Sequence, residues 1–197
     1  MLYNIVRNIE QLILRTFYSI KVSGLRNIPH EGGAILAINH ASFLDSLFIT
    51  AFVPRVISFL VYRKLYNLWY LNWLFRTISC IPTNGCTGIA VEYLRQGRLL
   101  GIFPEGKRSN NGNLQKGKTG TALFAIKTKV PVIPIGISGT WDAFPPGKIF
   151  PKLFRPINIE IGQPLHFSYE DNKEVPLEVL KESTEVIMKK IEELVKK

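Results

Sequence analysis

Short apolar runs alternate with helical stretches along the chain, and this alternation restricts the possible folds more than any other feature. The runs predicted as strands cover residues 21–25, 34–39, 56–62, 79–82, 99–103, 132–137 and 157–161. Helices are predicted at 43–52, 65–76, 87–96, 117–129 and 177–196. Such alternation is typical of an α/β fold, so we expect a single domain with a mixed, mostly parallel sheet of about seven strands flanked by helices.

The first twenty residues have a helical apolar pattern of their own. Their apolar side chains are spaced by three and four residues: Leu2, Ile5, Val6, Ile9, Leu12, Ile13, Phe17 and Ile20. This spacing predicts an amphipathic helix over 1–20, ahead of an α/β domain over 21–197. The apolar stripe can pack on that domain or lie on a bilayer, and the two uses are compatible. The chain has no uninterrupted run of about 18 apolar residues, so no transmembrane helix is predicted. Arg7, Glu10 and Arg15 interrupt the apolar residues of the N-terminus, so no secretory signal peptide is predicted.

Positive charge is in excess, and it favours anionic partners. The chain has 25 Lys and Arg against 15 Asp and Glu, a formal net charge of +10. Such a surface attracts nucleic acid, anionic lipid or phosphorylated substrates. The basic residues are dispersed and no nucleic-acid-binding signature is present, so we expect no nucleic-acid partner. Cys80 and Cys86 lack the spacing of metal ligands and are expected to be reduced thiols.

A histidine and an aspartate stand at the end of the second predicted strand, in NHASFLD (39–45). Within one helix, five residues span roughly 500° of rotation, so His40 and Asp45 would lie on different faces. If the chain instead enters a helix near Ser42, the turn can bring Asp45 beneath the imidazole. The carboxylate would then fix the ring tautomer and leave the other nitrogen as a general base.

The same residues allow other interpretations. Ser42 and Asp45 fit the Ser-x-x-Asp capping box that starts a helix, and a carboxylate that caps can also orient a histidine. Ser42 and Ser46 lie close enough in sequence to make a serine nucleophile an alternative. His30 and His166 have no comparable neighbours and are expected to be structural.

Aromatic side chains are concentrated in residues 59–75, FLVYRKLYNLWYLNWLF, where Arg63 and Lys64 add positive charge. Aromatic rings with a polar edge favour the membrane–water interface, and nearby cations are attracted to anionic lipid. The alternative is that these rings fill the core. The cluster is therefore equally consistent with two roles: packing in the core, and contact with a membrane or an acyl chain.

Residues 112–119, GNLQKGKT, match the phosphate-binding loop G-x-x-x-x-G-K-T of nucleotide hydrolases in full. That loop should follow a buried strand directly, but KRSNN stands before Gly112. No apolar strand ending in a magnesium-binding aspartate supplies a second motif. A nucleotide-binding protein is therefore kept only as an alternative, and residues 116–119 are expected to begin a helix instead.

A second polar segment follows the fifth predicted strand, in LLGIFPEGKRS (99–109). Pro104 cannot donate a hydrogen bond to a sheet, so the strand should end before it. Gly106 allows close backbone approach, Arg108 has a planar fork suited to phosphate, and Lys107 adds a point charge. Taken alone, the stretch can equally be a solvated charged loop.

Two of these segments together resemble the glycerolipid acyltransferase family. H-x-x-x-x-D at 40–45 and F-P-E-G-x-R-S at 103–109 occur in the order and at the separation of its first and third motifs. VPVIPIG at 130–136 is similar to its fourth motif. The resemblance covers roughly residues 20 to 165 and implies the family's α/β fold with a membrane-associated N-terminal helical part.

The resemblance also implies a reaction and a site. His40, oriented by Asp45, would deprotonate an acceptor hydroxyl, and the alkoxide would attack the thioester of acyl-CoA or acyl carrier protein. Five residues would help to hold a glycerophosphate or lysophospholipid acceptor such as 1-acylglycerol-3-phosphate: Glu105, Gly106, Lys107, Arg108 and Ser109. The product would be phosphatidic acid, a step of phospholipid biosynthesis. A thioester is already activated, so no cofactor and no metal ion is implied.

The expected location is the cytoplasmic face of a membrane, as a peripheral or monotopic protein with an anionic lipid surface as partner.

One position departs from the family pattern. The second motif commonly has an arginine after an Ile-Pro strand, where it helps to bind the acceptor phosphate. Here the run is IPTNG at 81–85, so Gly85 stands in its place. Arg108, Lys107 or another cation would then bind the phosphate, or the acceptor is a different lipid alcohol. A lipid-binding module without catalysis is a further alternative.

Overall fold

A computed structural model describes residues 2–66, 80–83, 85, 87–169 and 174–196. Within these ranges seven strands form one sheet: β1 (Ser19–Ser23), β2 (Ala34–Ile38), β3 (Ile57–Val61), β4 (Ile81–Pro82), β5 (Leu99–Ile102), β6 (Val132–Ser138) and β7 (Pro156–Ile161). Their order is β1-β7-β6-β2-β5-β3-β4. The strands from β6 to β4 are parallel, whereas β7 pairs antiparallel with β6 and parallel with β1. The predicted α/β fold with a mixed, mostly parallel sheet is confirmed.

Helices flank this sheet. Those in the described ranges are α1 (Leu2–Phe17), α2 (Leu44–Phe52), α3 (Arg63–Tyr66), α4 (Thr87–Arg95), α5 (Gly120–Thr128), α6 (Thr140–Ala143) and α7 (Leu177–Val195). The prediction missed α6, because a four-residue helix is too short to show a helical apolar period. It also began α5 three residues early, since residues 117–119 are not helical. Most of the helix predicted at 65–76, and most of the aromatic segment, lies outside the described residues.

The core consists of two clusters of buried side chains, one on each face of the sheet. Along β2, Ala34, Leu36 and Ile38 belong to one cluster, and Ile35 and Ala37 belong to the other. Alternate residues of a strand point to opposite faces, so a strand that is apolar throughout requires cover on both. Helices α1 and α2 cover the first face, and α4, α5 and α7 cover the second.

Helix α1 packs on the domain with one side and exposes the other. Leu14 is buried, and Gln11 Nε2 donates a hydrogen bond to Ala51 O of α2 at 2.6 Å. Six apolar side chains elsewhere on α1 are 39–69% exposed: Ile5, Val6, Ile9, Leu12, Ile13 and Phe17. No helix in the described part of the chain is long and apolar enough to cross a bilayer. The apolar stripe of α1 is therefore only partly covered by protein.

Parallel pairing of β2 with both β5 and β6 brings three strand ends to one edge of the sheet. In the β2–β5 register, Ala37 pairs with Ile102. The residues three positions further along each chain are His40 and Glu105, so the two polar segments come to lie side by side. In open α/β sheets, binding sites form beyond this carboxyl edge.

Candidate active site

The turn after β2, residues 39–45, joins His40 to Asp45, and we refer to it as the histidine turn. Asp45 is fully buried, and its Oδ2 lies 2.8 Å from His40 Nδ1. The same oxygen accepts backbone N–H hydrogen bonds from Ala41 and Ser42, both at 2.8 Å. A carboxylate only accepts hydrogen bonds, so Nδ1 carries a proton, and in the neutral tautomer with this contact the lone pair is on Nε2. The His40 side chain is 19% exposed, which leaves a path to the ring.

Ser42 supports this turn from inside the protein. Its hydroxyl is buried, donates to Phe144 O at 2.7 Å and accepts from Leu44 N at 3.1 Å. Together with the bond from Ser42 N to Asp45, these contacts cap the first turn of α2 in the manner of a capping box. Asp45 therefore caps the helix and contacts the imidazole at the same time. The commitment of the Ser42 hydroxyl to two backbone groups disfavours Ser42 as a nucleophile.

The segment after β5, residues 103–109, holds the backbone of His40, and we call it the glutamate loop. The N–H of His40 donates to Glu105 Oε1 at 2.6 Å, and its carbonyl accepts from Ser109 N at 2.8 Å. The imidazole stacks on Phe103 with 3.9 Å between the ring centroids. His40 is thus held in place by the contact of its Nδ1 with Asp45, by the stacking of its ring on Phe103 and by hydrogen bonds at its backbone N–H and carbonyl.

The side chains of Glu105 and Ser109 both form hydrogen bonds within the protein. Both carboxylate oxygens of Glu105 accept hydrogen bonds, Oε1 from His40 N and Oε2 from Gln115 N at 2.9 Å. Burial raises the pKa of Glu105, and the two N–H donors oppose that rise. Ser109 is also buried, and its Oγ donates to Asn111 Oδ1 at 3.0 Å. The Glu105 side chain and the Ser109 backbone N–H thus connect the two polar segments, and the Ser109 hydroxyl bonds to Asn111, two residues further along.

Arg108, Lys107 and Gly106 form the accessible side of the glutamate loop. The Arg108 guanidinium carbon lies 3.4 Å from the centroid of the Phe43 ring. Burial lowers the pKa of Arg108, and the negative charge of Asp45 opposes that effect. Arg108 Nη1 is buried without a hydrogen-bond partner among the described residues. Lys107 is exposed.

A lysine that the sequence did not single out lies against this loop. Lys118 N donates to Pro104 O at 2.8 Å. Its ammonium covers Gly106, where a β-carbon would stand 2.7 Å from Nζ. Gly106 itself has a φ of 71°, a conformation that side-chain-bearing residues rarely adopt. Lys118 entered the sequence argument only as part of the GNLQKGKT pattern, so no signal connected it with this site.

Other residues that the sequence analysis missed hold the site in place. Asn39 ties the end of β2 to β6, since its Oδ1 accepts from Ile137 N at 2.7 Å and its Nδ2 donates to Ile137 O at 2.9 Å. Phe103 packs on the imidazole and Phe43 on the guanidinium. Their positions inside the two motifs were a usable signal, because an aromatic ring beside a cation or an imidazole often stacks on it.

The GNLQKGKT segment lacks the surroundings of a nucleotide-binding loop. The preceding strand, β5, ends at Ile102, well before Gly112. Gly117 packs closely against Met188 and Thr184 of α7. The segment is therefore part of the packing between the glutamate loop and α7, which disfavours the nucleotide-binding alternative.

The fold and the site together define a class of α/β protein: a buried aspartate that contacts an accessible histidine, beside a basic loop at the carboxyl edge of a parallel sheet. A model of the acyltransferase family matches residues 19–138, more than half of the chain. The chain belongs to the acyltransferase family, and the resemblance of its two motifs to that family is confirmed.

Relatives of known name are similar to this chain over most of its length. The chain is 29% identical to the chloroplastic 1-acyl-sn-glycerol-3-phosphate acyltransferase LPAT1 of Arabidopsis thaliana, over 79% of this chain and 46% of that protein. It is 26% identical to the 1-acyl-sn-glycerol-3-phosphate acyltransferase of Bacillus subtilis, over 98% of this chain and 96% of that protein. The chain thus spans about half the length of the plant relative and nearly all of the bacterial one.

A solved structure has the same fold. The crystal structure of the 1-acyl-sn-glycerophosphate acyltransferase PlsC from Thermotoga maritima matches with a TM-score of 0.78 and 28% identity. The match covers 98% of this chain and 79% of that chain. This agreement supports the seven-stranded arrangement described above.

Proposed function

We propose that this chain transfers a fatty acyl group from an acyl thioester to a hydroxyl of a lysophospholipid such as 1-acylglycerol-3-phosphate, giving phosphatidic acid. The observation that carries the proposal is the 2.8 Å contact between Asp45 Oδ2 and His40 Nδ1, which leaves Nε2 as the basic nitrogen. The two relatives and the solved structure described above, which are named for this activity, support the choice of reaction.

In the proposed reaction, His40 is the general base. Nε2 removes the proton of the acceptor hydroxyl while the oxygen attacks the thioester carbonyl. The new C–O bond forms, the C–S bond breaks, and the leaving thiolate takes the proton back from the imidazolium. Asp45 stabilises the imidazolium that exists between these two proton transfers. The thiol can belong to coenzyme A or to acyl carrier protein.

The acceptor phosphate is assigned to Arg108. Its Nη1 has no hydrogen-bond partner among the described residues, and a phosphate oxygen would supply one. Gly85, at the position of the missing arginine of the second motif, offers no side chain, and among the described residues no atom lies within 4 Å of where its β-carbon would stand. Lys107 and Lys118 border the same loop and would add positive charge. Glu105 and Ser109 act on the phosphate indirectly in this scheme, because they position the loop that carries Arg108.

The site is proposed to work at a membrane surface. Its acceptor has one acyl chain and resides in bilayers, and the exposed apolar side of α1 offers a surface for bilayer contact. The net charge of +10 favours an anionic surface. Binding to anionic vesicles should therefore weaken as salt concentration rises.

A panel of acceptors and donors tests the proposed function. Purified protein is mixed with acyl-CoA or acyl carrier protein thioester and with lysophospholipids that have a phosphate, phosphoglycerol or phosphocholine headgroup. Free thiol and diacyl product are measured together, so that thioester hydrolysis is distinguished from transfer. We expect transfer to the phosphate acceptor, giving phosphatidic acid.

Other outcomes have defined meanings. Transfer only to another headgroup would move the acceptor assignment away from phosphate monoesters, in line with the glycine at position 85. Tight lysophospholipid binding without turnover from either donor would indicate a non-catalytic lipid-binding module and contradict the proposal.

A further inference from the structure

A short loop between α6 and β7 exposes more apolar surface than any function assigned above requires. In residues 148–155, KIFPKLFR, which we call the basic apolar loop, Ile149 is 83% exposed, Phe150 81% and Phe154 74%. Large side chains at such exposure forgo the free energy that burial would give them. Clustered on one loop, they form the kind of patch that marks an interaction surface.

We propose that the basic apolar loop is an anchor that inserts into anionic bilayers. Lys148, Lys152 and Arg155 alternate with its apolar residues, all three are exposed, and the loop contains no Asp or Glu. An anionic bilayer matches this pattern, because apolar side chains enter the acyl boundary while lysine and arginine bind headgroups. The inference rests on the proposed function, which needs an acceptor that resides in a membrane.

The backbone of the loop is fixed in its second half. Lys152 N donates to Ala143 O of α6, and Phe154 N donates to Phe17 O at the end of α1, each at 2.7 Å. Phe154 also has a φ of 58°, a left-handed conformation that residues with a side chain rarely adopt. The protein therefore holds this aromatic ring toward solvent in a strained conformation, and strain of this kind is concentrated at functional positions.

The loop also lies between the active site and the exposed side of α1. Phe144, just before it, accepts a hydrogen bond from the Ser42 hydroxyl of the histidine turn and has its ring 6.3 Å from that of Phe43. At the other end, Ser19 N of β1 donates to Arg155 O. A bilayer bound at the loop would thus meet the molecule between the catalytic histidine and the N-terminal helix. A lysophospholipid could then reach His40 without leaving the membrane surface.

Vesicle co-sedimentation of the full chain tests the anchor. The test variant combines Ile149→Ser with Phe150→Ser, and the matched control combines Ile89→Ser with Val186→Ser. Ile89 and Val186 are 48% and 45% exposed on α4 and α7, the helices of the other layer. For vesicles of phosphatidylglycerol and phosphatidylcholine, the loop variant should bind at least about tenfold more weakly than wild type, and the control within about twofold.

Charge is tested separately with Lys148→Gln combined with Lys152→Gln. This variant should lose roughly tenfold in binding to the anionic vesicles and little in binding to pure phosphatidylcholine. Circular dichroism and thermal unfolding should match wild type, because every substituted side chain is exposed.

Three results would overturn the anchor. The first is unchanged vesicle binding by the Ile149/Phe150 variant, and the second is an absence of wild-type binding at low salt. The third is a dimer of the wild type, seen by sedimentation velocity without lipid, that becomes a monomer in the loop variant, since the loop would then bind a second copy.

Transfer to a water-soluble short-chain lysophospholipid should be equal in wild type and loop variant. An absence of transfer in both proteins would contradict the proposed function, and the vesicle comparison would still test the loop.

Discussion

The histidine turn and the glutamate loop are built alike but use their acids differently. Each follows a parallel strand, and each contains one carboxylate that is at least 97% buried, Asp45 in the turn and Glu105 in the loop. Asp45 gathers three contacts on one oxygen, and one of these is the His40 ring. Glu105 divides two backbone N–H bonds between its two oxygens, and within the described ranges it makes no hydrogen bond to a side chain.

This difference separates two ways in which a buried acid can serve a reaction. Asp45 is positioned to influence the charge of the imidazole itself. Glu105 instead fixes the backbone that carries the imidazole, and it joins the turn to residue 115 as well. The first role depends on the negative charge of the acid, and the second depends on the number of acceptor atoms.

The largest effect should come from His40, where both segments meet. His40→Ala should lower the transfer rate by a factor of about 10²–10⁴ or more, because it removes the proposed general base. The Asp45 contacts to Ala41 N and Ser42 N remain, so the variant should stay folded by circular dichroism. Near wild-type turnover in a folded His40→Ala protein would rule out His40 as the base.

A paired substitution should next separate the two acids. Asp45→Asn can keep all three donors on its remaining carbonyl oxygen but loses the negative charge, so we expect a roughly 10²–10⁴-fold loss in kcat. Glu105→Gln has one carbonyl oxygen for two backbone donors and sets an NH₂ group against the other N–H. It should therefore lower the unfolding free energy by about 1–3 kcal/mol.

Steady-state kinetics and urea unfolding of both proteins check this contrast. The Gln variant should retain a larger share of kcat than the Asn variant at a temperature where both are folded. The reverse order would show that Glu105 acts on the reacting atoms and that Asp45 acts mainly as a helix cap.

Within the glutamate loop, the two neighbouring cations should differ. Arg108→Ala should raise KM for a phosphorylated acceptor by about 10–100-fold, since it removes a charged donor whose Nη1 has no partner in the part of the chain that the structure describes. Lys107→Ala is the matched control and should change KM by less than about threefold, because exposed charges contribute little. Equal effects of the two substitutions would contradict the assignment of phosphate to Arg108. The KM for the thioester donor should stay unchanged in both.

The smallest expected effect is on the pH dependence of stability. Burial raises the folded-state pKa of Glu105 above the ordinary carboxyl value of about 4.3. The native state therefore keeps this proton to a higher pH than the unfolded chain does. The contribution of Glu105 to the unfolding free energy should be full below the ordinary carboxyl pKa of about 4.3. It should fall as the pH rises through the raised pKa of the folded state.

Urea unfolding of wild type and Glu105→Gln at a series of pH values above about 4 measures this effect. The difference in unfolding free energy between them should shrink as pH rises. A difference that grows with pH would mean that the two N–H donors outweigh burial and lower the pKa of Glu105 instead.

Much of this site was predictable because its chemistry is local in sequence. His40 and Asp45 are five residues apart, and a strand end followed by a helix start brings them together over a single turn. The capping pattern at Ser42 pointed to the same turn. The β2 and β5 strands were likewise visible as apolar runs, and strand ends carry the site in such folds.

Contacts between distant segments could not be predicted in the same way. The roles of Glu105 and Ser109 depend on backbone groups of His40, more than sixty residues away. The covering of Gly106 by Lys118 and the outward turn of Phe154 are also set by packing rather than by neighbours in sequence. Apolar periodicity identifies an element and its buried face, but it has no information on which element lies beside it.

The sequence by itself determined the α/β class, the positions of most strands and helices, and the two polar segments at strand ends, because these follow from local hydrogen bonding and side-chain periodicity. Tertiary structure alone decided the pairing of Ala37 with Ile102. That register sets His40 level with Glu105, so that one carboxylate holds the backbone while the other contacts the ring. The physical reason is that β-strand register results from packing over the whole sheet, and a shift of one residue would turn these side chains to the opposite face.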